Sequence, residues 1–564
     1  MYRILTLLIG LILVGCSSKS SSTLSRKRNT QNSTITAVSP VNSLTDRPKL
    51  VVGIVVDQMR YDYLSRFYDR YGDGGFKRLM NDGFDARNNH YNFVPTYTAP
   101  GHASIYTGTS PMNHGIIGNN WYDKVRDRSI YNATDIEVDP VGTTSMDGKM
   151  SPRNMLTTTV TDELELHTQG RSKVIGISLK DRGAILPAGH VADAAYWFKG
   201  DDEGAFISST FYMDQLPTWV QDFNTEKSID HYLKDWNTLY PISSYVESGT
   251  DLNEFERGPK GQRKAQFPYK LKTLAPDNGN YSLLKATPYG NSIVADFAIQ
   301  ALKQEQMGQG DTTDFLAISF SSTDYVGHQY GVNSIEVEDT YLRLDLEIER
   351  ILKELDDTVG AGNYTVFLTA DHGAVDNPAY LKSKRINSGY FNSKKFRKEL
   401  DKALEAEYAI DGIIRNISNG QIFFDRAVLK DNKLKSSQIQ SLIVETIVDY
   451  KYIDKVFKRD DIVAGTLNNG TGRLVTNGFH HKRSGDVVYI LEPAVISYGK
   501  TGSTHGSAQS YDTHVPLLFY GKGIHPGFTY ERTEIIDIAP TISSLLHISF
   551  PNGTTGNPIY RALK

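Results

Sequence analysis

The sequence predicts an α/β fold, in which a central, mostly parallel sheet is flanked by helices and covered at one edge by inserted segments. Three observations lead to this prediction: near-continuous apolar runs recur along the chain, a helical pattern separates two of them, and two long stretches interrupt the alternation. Apolar runs of this kind are typical of strands buried on both faces, as in a parallel sheet. The 564 residues predict one large domain with insertions, or two domains.

The first strand is expected in KLVVGIVVD, from Lys49 to Asp57, where the fold begins. Similar runs occupy residues 315–320, 364–370 and 515–520. Between the first two of these, apolar side chains follow helical spacing at Tyr341, Leu344, Ile348, Ile351 and Leu355. Strand, helix and strand in that order predict a βαβ unit.

Two stretches, at about 190–285 and about 385–500, depart from this alternation. The first is rich in glycine, aspartate and aromatic residues, and the second contains NISNGQIFFDR and KRSGDVVYILEP, which alternate like strands of a small antiparallel sheet. We interpret both as insertions in one domain of residues 49–564. They would cover the carboxyl ends of the strands, where open α/β sheets form ligand sites.

Residues 1–16 predict a bacterial lipoprotein signal peptide. The apolar run from Ile4 to Val14 is too short to span a bilayer, and Leu-Val-Gly-Cys, ending at Cys16, resembles a lipobox. The alternative is an ordinary secretory signal with an incidental cysteine. Cys16 is the only cysteine, so neither a disulfide nor a cysteine ligand is expected in the mature chain.

The Ser-, Thr- and Asn-rich residues 17–48 predict a flexible tether. We therefore expect an exported protein on the periplasmic side, anchored to the outer membrane only through a lipid on Cys16. A net charge of −4 gives no indication of nucleic-acid binding. We expect a monomer that acts on small molecules.

Candidate metal ligands follow the predicted strands or lie in adjacent loops. They are Asp57, Asp324, His328, Asp371, His372 and His505. A parallel sheet brings such strand ends together. Imidazole and carboxylate without thiolate favour zinc or a similar divalent ion over manganese or iron. Six ligands exceed one tetrahedral shell and match the paired metals used in phosphoryl transfer.

Thr98, in VPTYTAPGHASIYTG, is expected at the start of a helix, with Pro100 in its first turn. Two interpretations are open from these residues alone. Thr98 is either a helix cap or a hydroxyl nucleophile at the positive end of the helix, where a developing anion is stabilised.

The motifs VVDQMR, PTYTAPGHASIYTGTSPMNHGIIGN, STDYVGH, TADHG, STHGS and DIAPTISSLL, in this order, resemble the alkaline phosphatase superfamily. The closest resemblance is to the PafA-type, phosphate-irrepressible bacterial alkaline phosphatases of its phosphodiesterase/nucleotide pyrophosphatase-like branch. It spans nearly all of the chain from Lys49 onward. It implies an alkaline-phosphatase-like sandwich with two Zn²⁺ ions. One zinc would be held by Asp57, Thr98, Asp371 and His372, and the other by Asp324, His328 and His505.

The superfamily hydrolyses phosphate monoesters, diesters and sulfate esters, so the substrate depends on further residues. The resemblance implies that Asn119, in HGIIGNNWYD, holds a phosphoryl oxygen; otherwise it is a turn residue. Lys180 and Arg182, in SLKDRGAILP, follow another apolar run and would bind a dianionic phosphoryl group; otherwise they form a solvated turn. The Lys-x-Arg pair matches the PafA type, and the related diesterases lack it.

The expected function is therefore a zinc-dependent alkaline phosphatase that cleaves phosphate monoesters through a phosphothreonine on Thr98. A sulfatase is disfavoured, because Thr98 and His102 replace the modified residue and the arginine of the sulfatase motif. Two alternatives remain: a phosphodiesterase/nucleotide pyrophosphatase with the same two-metal site, and a binding lipoprotein without catalysis.

Overall fold

The computed structural model describes residues 47–226 and 229–564. The signal peptide predicted at 1–16 and nearly all of the tether predicted at 17–48 lie outside the described residues. Within the described ranges, no helix combines the length and apolar character needed to cross a membrane.

The strands of the described residues are β1 Leu50–Val56, β2 Phe84–Ala86, β3 Asn89–His90, β4 Asn120–Asp123, β5 Arg128–Tyr131, β6 Pro140–Val141, β7 Val174–Ser178, β8 Ala194–Lys199, β9 Ala205–Ser209, β10 Asp314–Phe320, β11 Tyr364–Thr369, β12 Gly389–Tyr390, β13 Ile414–Ser418, β14 Gln421–Phe424, β15 Ile453–Lys458, β16 Val487–Leu491, β17 Val495–Ile496, β18 Leu517–Gly521, β19 Gly527–Thr529 and β20 Thr533–Glu534.

The α-helices of the described residues are α1 Asp62–Arg66, α2 Phe76–Asp82, α3 Thr98–Thr107, α4 Pro111–His114, α5 Val160–Thr168, α6 Asp181–Ala188, α7 Thr218–Glu226, α8 Leu271–Leu274, α9 Pro288–Gln304, α10 Ser322–Tyr330, α11 Ile335–Leu355, α12 Pro378–Ser383, α13 Ser393–Tyr408, α14 Arg426–Asp431, α15 Ser436–Ile447, α16 Arg459–Val463, α17 Gly470–Gly478, α18 Ser510–Thr513 and α19 Ile538–Leu546.

The central sheet has the strand order β19-β2-β18-β11-β1-β10-β7-β8-β9-β6. Its five middle strands, from β11 to β8, are parallel to one another. Every residue of β1 is buried, as expected for a strand covered on both faces. The prediction of a mostly parallel central sheet with flanking helices is confirmed.

The predicted βαβ unit is β10, α11 and β11. Its two strands, β10 and β11, pair with β1 on opposite sides. The five apolar residues that predicted α11 are all buried in the core. The run at 515–520 forms β18, which begins two residues later and pairs antiparallel with β11. A fully buried strand has the same apolar pattern in either direction, so the sequence could not show its orientation.

The two interrupting stretches have different structures. The stretch at about 190–285 first adds β8 and β9 to the central sheet, and short helices and turns follow. The stretch at about 385–500 contains the predicted antiparallel sheet, in the order β13-β14-β16-β15. This small sheet packs with α13 and α15 around a separate apolar cluster that includes Phe396, Ile422 and Ile443.

Gly53, in the middle of β1, shows how tightly the central layers pack. A Cβ at this position would lie 2.4 Å from the Tyr106 hydroxyl and 2.6 Å from Cζ of Phe367. We expect Gly53→Ala to lower the free energy of unfolding by about 1–3 kcal/mol, because buried rings must move to admit one methyl group.

Thermal or urea unfolding measures this effect. The matched control is Gly310→Ala, since Gly310 is exposed and the nearest atom to its added Cβ is 4.0 Å away. That change should stay within about 0.5 kcal/mol. Equal stabilities of the two variants would show that β1 is less tightly packed than its contacts indicate.

Candidate active site

The candidate ligands lie along one edge of the sheet. Asp57 directly follows β1, Asp371 follows β11, and Asp324 lies in the first turn of α10 after β10. Because these three strands are adjacent and parallel, their carboxyl ends meet. His505 reaches the same edge from the segment that precedes β18.

Asp324, His328 and His505 form the first metal-ligand group, since one ligand atom of each lies within 4.8 Å of the others. The Nε2 atoms of His328 and His505 are 3.2 and 3.7 Å from Asp324 Oδ1. Each Nδ1 lies against a backbone carbonyl, Ser503 O at 2.8 Å and Thr96 O at 2.7 Å.

These carbonyl contacts determine what the first group can bind. A carbonyl only accepts, so each Nδ1 carries the proton, and the Nε2 of a neutral ring presents a lone pair toward Asp324. Burial, together with His372, holds the pKa of His505 well below its ordinary value, which favours the neutral ring. Two nitrogen lone pairs that converge on a carboxylate repel it unless a cation lies between them. A histidine whose other nitrogen donates a hydrogen bond to a backbone carbonyl is a common metal ligand.

Burial by itself would raise the pKa of Asp324. The neighbouring imidazole of His328 and the ammonium group of Lys180 outweigh burial and hold that pKa well below its ordinary value. Asp324 is therefore a carboxylate, the charged form that a divalent cation requires.

The second group contains Asp57, Asp371 and His102, whose ligand atoms also lie within 4.8 Å of one another. Both nitrogens of His102 have other partners, Thr98 O at 2.9 Å and Ser319 Oγ at 3.0 Å. The His102 ring therefore links α3 to β10 beside the two carboxylates, and neither of its nitrogens is free to bind a metal.

His372 supplies the free nitrogen of the second group. Its Nδ1 lies 3.0 Å from Gly373 O, whereas its Nε2 lies 3.2 Å from Asp371 Oδ2. Among the described residues, neither that nitrogen nor that oxygen has a hydrogen-bond partner, although both are fully buried. Burial disfavours charge on His372, but Asp371 outweighs it and raises the pKa of His372 to about 8. A proton or a cation must therefore lie between them.

Lys180 lies between the two groups. Its Nζ is 2.8 Å from Asp57 Oδ2 and 2.6 Å from Asp324 Oδ2, and its side chain is only 1% exposed. Burial would lower the pKa of Lys180, but Asp324 and Asp57 outweigh it and raise that pKa. The ammonium group thus neutralises carboxylates of both groups, a contact that the sequence did not predict.

Arg182 lies apart from the metal-ligand groups. Its Nη1 is 3.0 Å from the Tyr131 hydroxyl, and its buried Nε has no hydrogen-bond partner among the described residues. Arg182 and Lys180 both line a cavity of about 270 Å³, together with Tyr325. The two predicted cations therefore face one cavity, although only Lys180 contacts the predicted metal ligands.

Thr98 is the first residue of α3, and Tyr97 occupies the position before it. No hydrogen bond of the described residues involves the Thr98 hydroxyl, so this side chain does not cap the helix. Asn119 is adjacent, because its Oδ1 accepts from the backbone N–H of Ala99 at 2.9 Å. A Cβ on Gly101 would lie 2.4 Å from Asp371 O, so glycine allows the first turn of α3 to approach the second group.

His102 is the residue of this site that sequence reasoning did not assign to the metal-ligand groups. A signal was present, because His102 follows Thr98 by four positions and one helical turn brings its ring back to the Thr98 carbonyl. The contact of His102 with Ser319, at the end of β10, depends on the tertiary fold and has no sequence signal.

A family model described as type I phosphodiesterase / nucleotide pyrophosphatase matches residues 51–515. Alkaline phosphatase PafA of Elizabethkingia meningoseptica is 47% identical over 519 residues, which are 91% of this chain and 94% of that protein. A protein of Myroides odoratus named calcium-transporting ATPase is 46% identical over 524 residues, 92% of this chain and 95% of that protein.

The crystal structure of wild-type alkaline phosphatase PafA matches with a TM-score of 0.89 and 45% identity, covering 92% of this chain and 99% of that one. A PafA mutant with substitutions at one threonine, one asparagine, one lysine and one arginine matches with a TM-score of 0.88, 44% identity and the same coverage. The chain therefore belongs to the type I phosphodiesterase / nucleotide pyrophosphatase family, in the group that includes alkaline phosphatase PafA.

Proposed function

We propose that this protein is a zinc-dependent alkaline phosphatase, which hydrolyses phosphate monoesters through a phosphothreonine on Thr98. One observation carries the proposal. Two groups of histidine and aspartate side chains lie at the sheet edge where α3 begins, and the Thr98 hydroxyl at the start of α3 has no hydrogen bond in the described residues. The similarity to alkaline phosphatase PafA, over 91% of this chain and 94% of that protein, supports it.

The donor set fits two divalent ions. Asp324, His328 and His505 would hold one ion, and Asp57, Asp371 and His372 would hold the other together with the Thr98 oxygen. Nitrogen and carboxylate donors without thiolate favour zinc. Bound zinc would lower the pKa of a coordinated hydroxyl and stabilise negative charge on phosphate-ester oxygens.

The Thr98 oxygen would attack phosphorus in line, so that a threonine–phosphorus bond forms as the bond to the leaving alcohol breaks. Water would then attack the phosphothreonine, release inorganic phosphate and return the hydroxyl to Thr98. The positive end of α3 would stabilise negative charge at that oxygen. Positioning and electrostatics supply most of the rate in such chemistry.

Asn119, Lys180 and Arg182 would hold the remaining phosphoryl oxygens. The Nε of Arg182 lacks a hydrogen-bond partner in the described part of the chain. The Oδ1 of Asn119 accepts from the Ala99 N–H, which leaves its Nδ2 to donate to a phosphoryl oxygen. In the PafA mutant the altered threonine and asparagine are as far apart along the chain as Thr98 and Asn119. Its altered lysine and arginine are two positions apart, as Lys180 and Arg182 are.

A phosphodiesterase with the same metal site is the second candidate, because the family model is described by that activity. The cations at Lys180 and Arg182 favour a monoester, whose phosphoryl group carries two negative charges where a diester carries one.

We further propose export as a lipoprotein anchored through Cys16 on the periplasmic side of the outer membrane, and activity as a monomer. In this proposal residues 49–564 are the catalytic domain. The lipobox at the end of residues 1–16 supports export. A shift in mass on removal of lipid from Cys16 tests the anchor.

Removal of metal should lower the thermal stability of the protein, because the carboxylates of both groups would lose their cations. A ligand present at 100 times its dissociation constant stabilises by about 2.7 kcal/mol. We expect zinc to restore the melting temperature and magnesium to do so poorly, since magnesium prefers oxygen ligands.

Metal analysis by mass spectrometry should give two zinc ions per chain, and His505→Ala should retain one. His481→Ala is the control, because His481 is exposed and outside both groups. Retention of two ions by His505→Ala would remove His505 from the ligand set.

Thr98→Ala should reduce kcat/KM for p-nitrophenyl phosphate by about 10³-fold or more, since it removes the nucleophile. Thr98→Ser should retain much more activity, because it keeps a hydroxyl. The melting temperature verifies that both variants fold. Comparable activities of the alanine and serine variants would contradict a nucleophilic role.

Changing Lys180 and Arg182 together to alanine should reduce kcat/KM for p-nitrophenyl phosphate far more than for bis-p-nitrophenyl phosphate. The expected change in the monoester-to-diester ratio is about 10-fold or more, because two charge-assisted contacts to the dianion are lost. Lys353→Ala removes an exposed lysine and is the control. Equal losses on both substrates would show that the pair does not distinguish the charge states.

A further inference from the structure

Gln58, directly after Asp57, is almost fully buried and has a backbone φ of +63°. Positive φ is unfavourable for a residue with a side chain, and such conformations persist where the surrounding structure requires them. The tight turn after β1 therefore places Gln58, at a cost in backbone energy, between the two metal-ligand groups.

Gln58 contacts both groups, each through a different part of the residue. Its backbone N–H donates to Asp371 Oδ1 at 3.0 Å, in the second group. Its side-chain Nε2 donates to Asp324 Oδ1 at 2.5 Å, in the first group. Gln58 is neutral, so it orients the two carboxylates without competing with a cation for their charge.

Gly327 makes room for this amide. It lies within α10, between the ligands Asp324 and His328, and a Cβ there would lie 1.9 Å from Gln58 Oε1. Glycine is a poor helix former, so alanine would be the better residue at this position for α10 alone. The space beside Gly327 is occupied by the Gln58 side chain.

We propose that Gln58 is a positioning residue that joins the two metal sites, and that its side-chain amide orients Asp324 while its backbone orients Asp371. The inference rests on the proposed two-zinc centre. Residues that hydrogen-bond a metal ligand fix its orientation, and their loss typically weakens metal binding by about 10–100-fold. Because only the side chain contacts Asp324, its removal should affect the ion of the first group alone.

The test is zinc affinity, measured by competition with a chromophoric chelator on the full chain. Gln58→Ala should weaken one of the two zinc ions by about 10–100-fold and leave the other unchanged. The matched control is Gln440→Ala, because Gln440 is also buried and donates to a carboxylate, Asp460, in the small insertion sheet region. It should leave both affinities unchanged.

Gly327→Ala provides an independent test that leaves Gln58 in the chain. The added methyl group should displace the amide, so the same single ion should be weakened to a similar degree. In the Gln58→Ala background the methyl group has no amide to displace, and Gly327→Ala should cause no further loss. This non-additivity distinguishes positioning from general damage to α10. If Gln58→Ala does not fold, Gln58→Asn, whose shorter side chain withdraws the amide from Asp324, takes its place in both the single and the double variant.

The inference is overturned if Gln58→Ala binds both zinc ions with wild-type affinities. It is also overturned if the substitution weakens both ions equally. Additive losses from the two substitutions would also overturn it. A wild-type chain that fails to hold two zinc ions would instead refute the metal centre of the proposed function, so the two failures can be distinguished.

Discussion

Mutual repulsion among buried carboxylates is the constraint on which this site depends. Asp57, Asp324 and Asp371 converge at one sheet edge, each almost fully shielded from water. Charges buried at such short range must be neutralised by partners, because water cannot screen them. Lys180 contacts two of the three, and the third faces the His372 Nε2, which has no hydrogen-bond partner among the residues that the structure describes. The segments around the sheet edge therefore place cationic or proton-bearing side chains, such as Lys180 and His372, against the carboxylates.

The parallel sheet accounts for the convergence. Adjacent parallel strands end at the same edge, so one residue after each strand is enough to build a cluster. The start of α3 adds partial positive charge and brings Thr98 close to the same edge. The close approach of Gly101 to the Asp371 carbonyl packs the first turn of this helix directly against the strand ends.

Features with a local signal could be predicted from the sequence. Buried strands and α11 are each encoded in short segments, and the structure has these elements where the runs indicated. The candidate ligands after the strands lie at one sheet edge, and their role as ligands stays a prediction. The orientation of β18 could not be predicted, because a buried apolar run has no direction. The contacts of Lys180 and Gln58 could not be predicted either, since both depend on which strands become neighbours. His102 could be predicted only in part, because its contact with Thr98 is local in sequence and its contact with Ser319 depends on the tertiary fold.

The order of the ligands along the chain has a consequence for biosynthesis. Asp57 directly follows β1, whereas His505 lies more than 400 residues later along the chain. A nascent chain that lacks the segment around His505 can hold at most an incomplete first group. Complete assembly of both groups therefore requires the chain at least as far as His505, so the two groups can come together only after this segment has been synthesised.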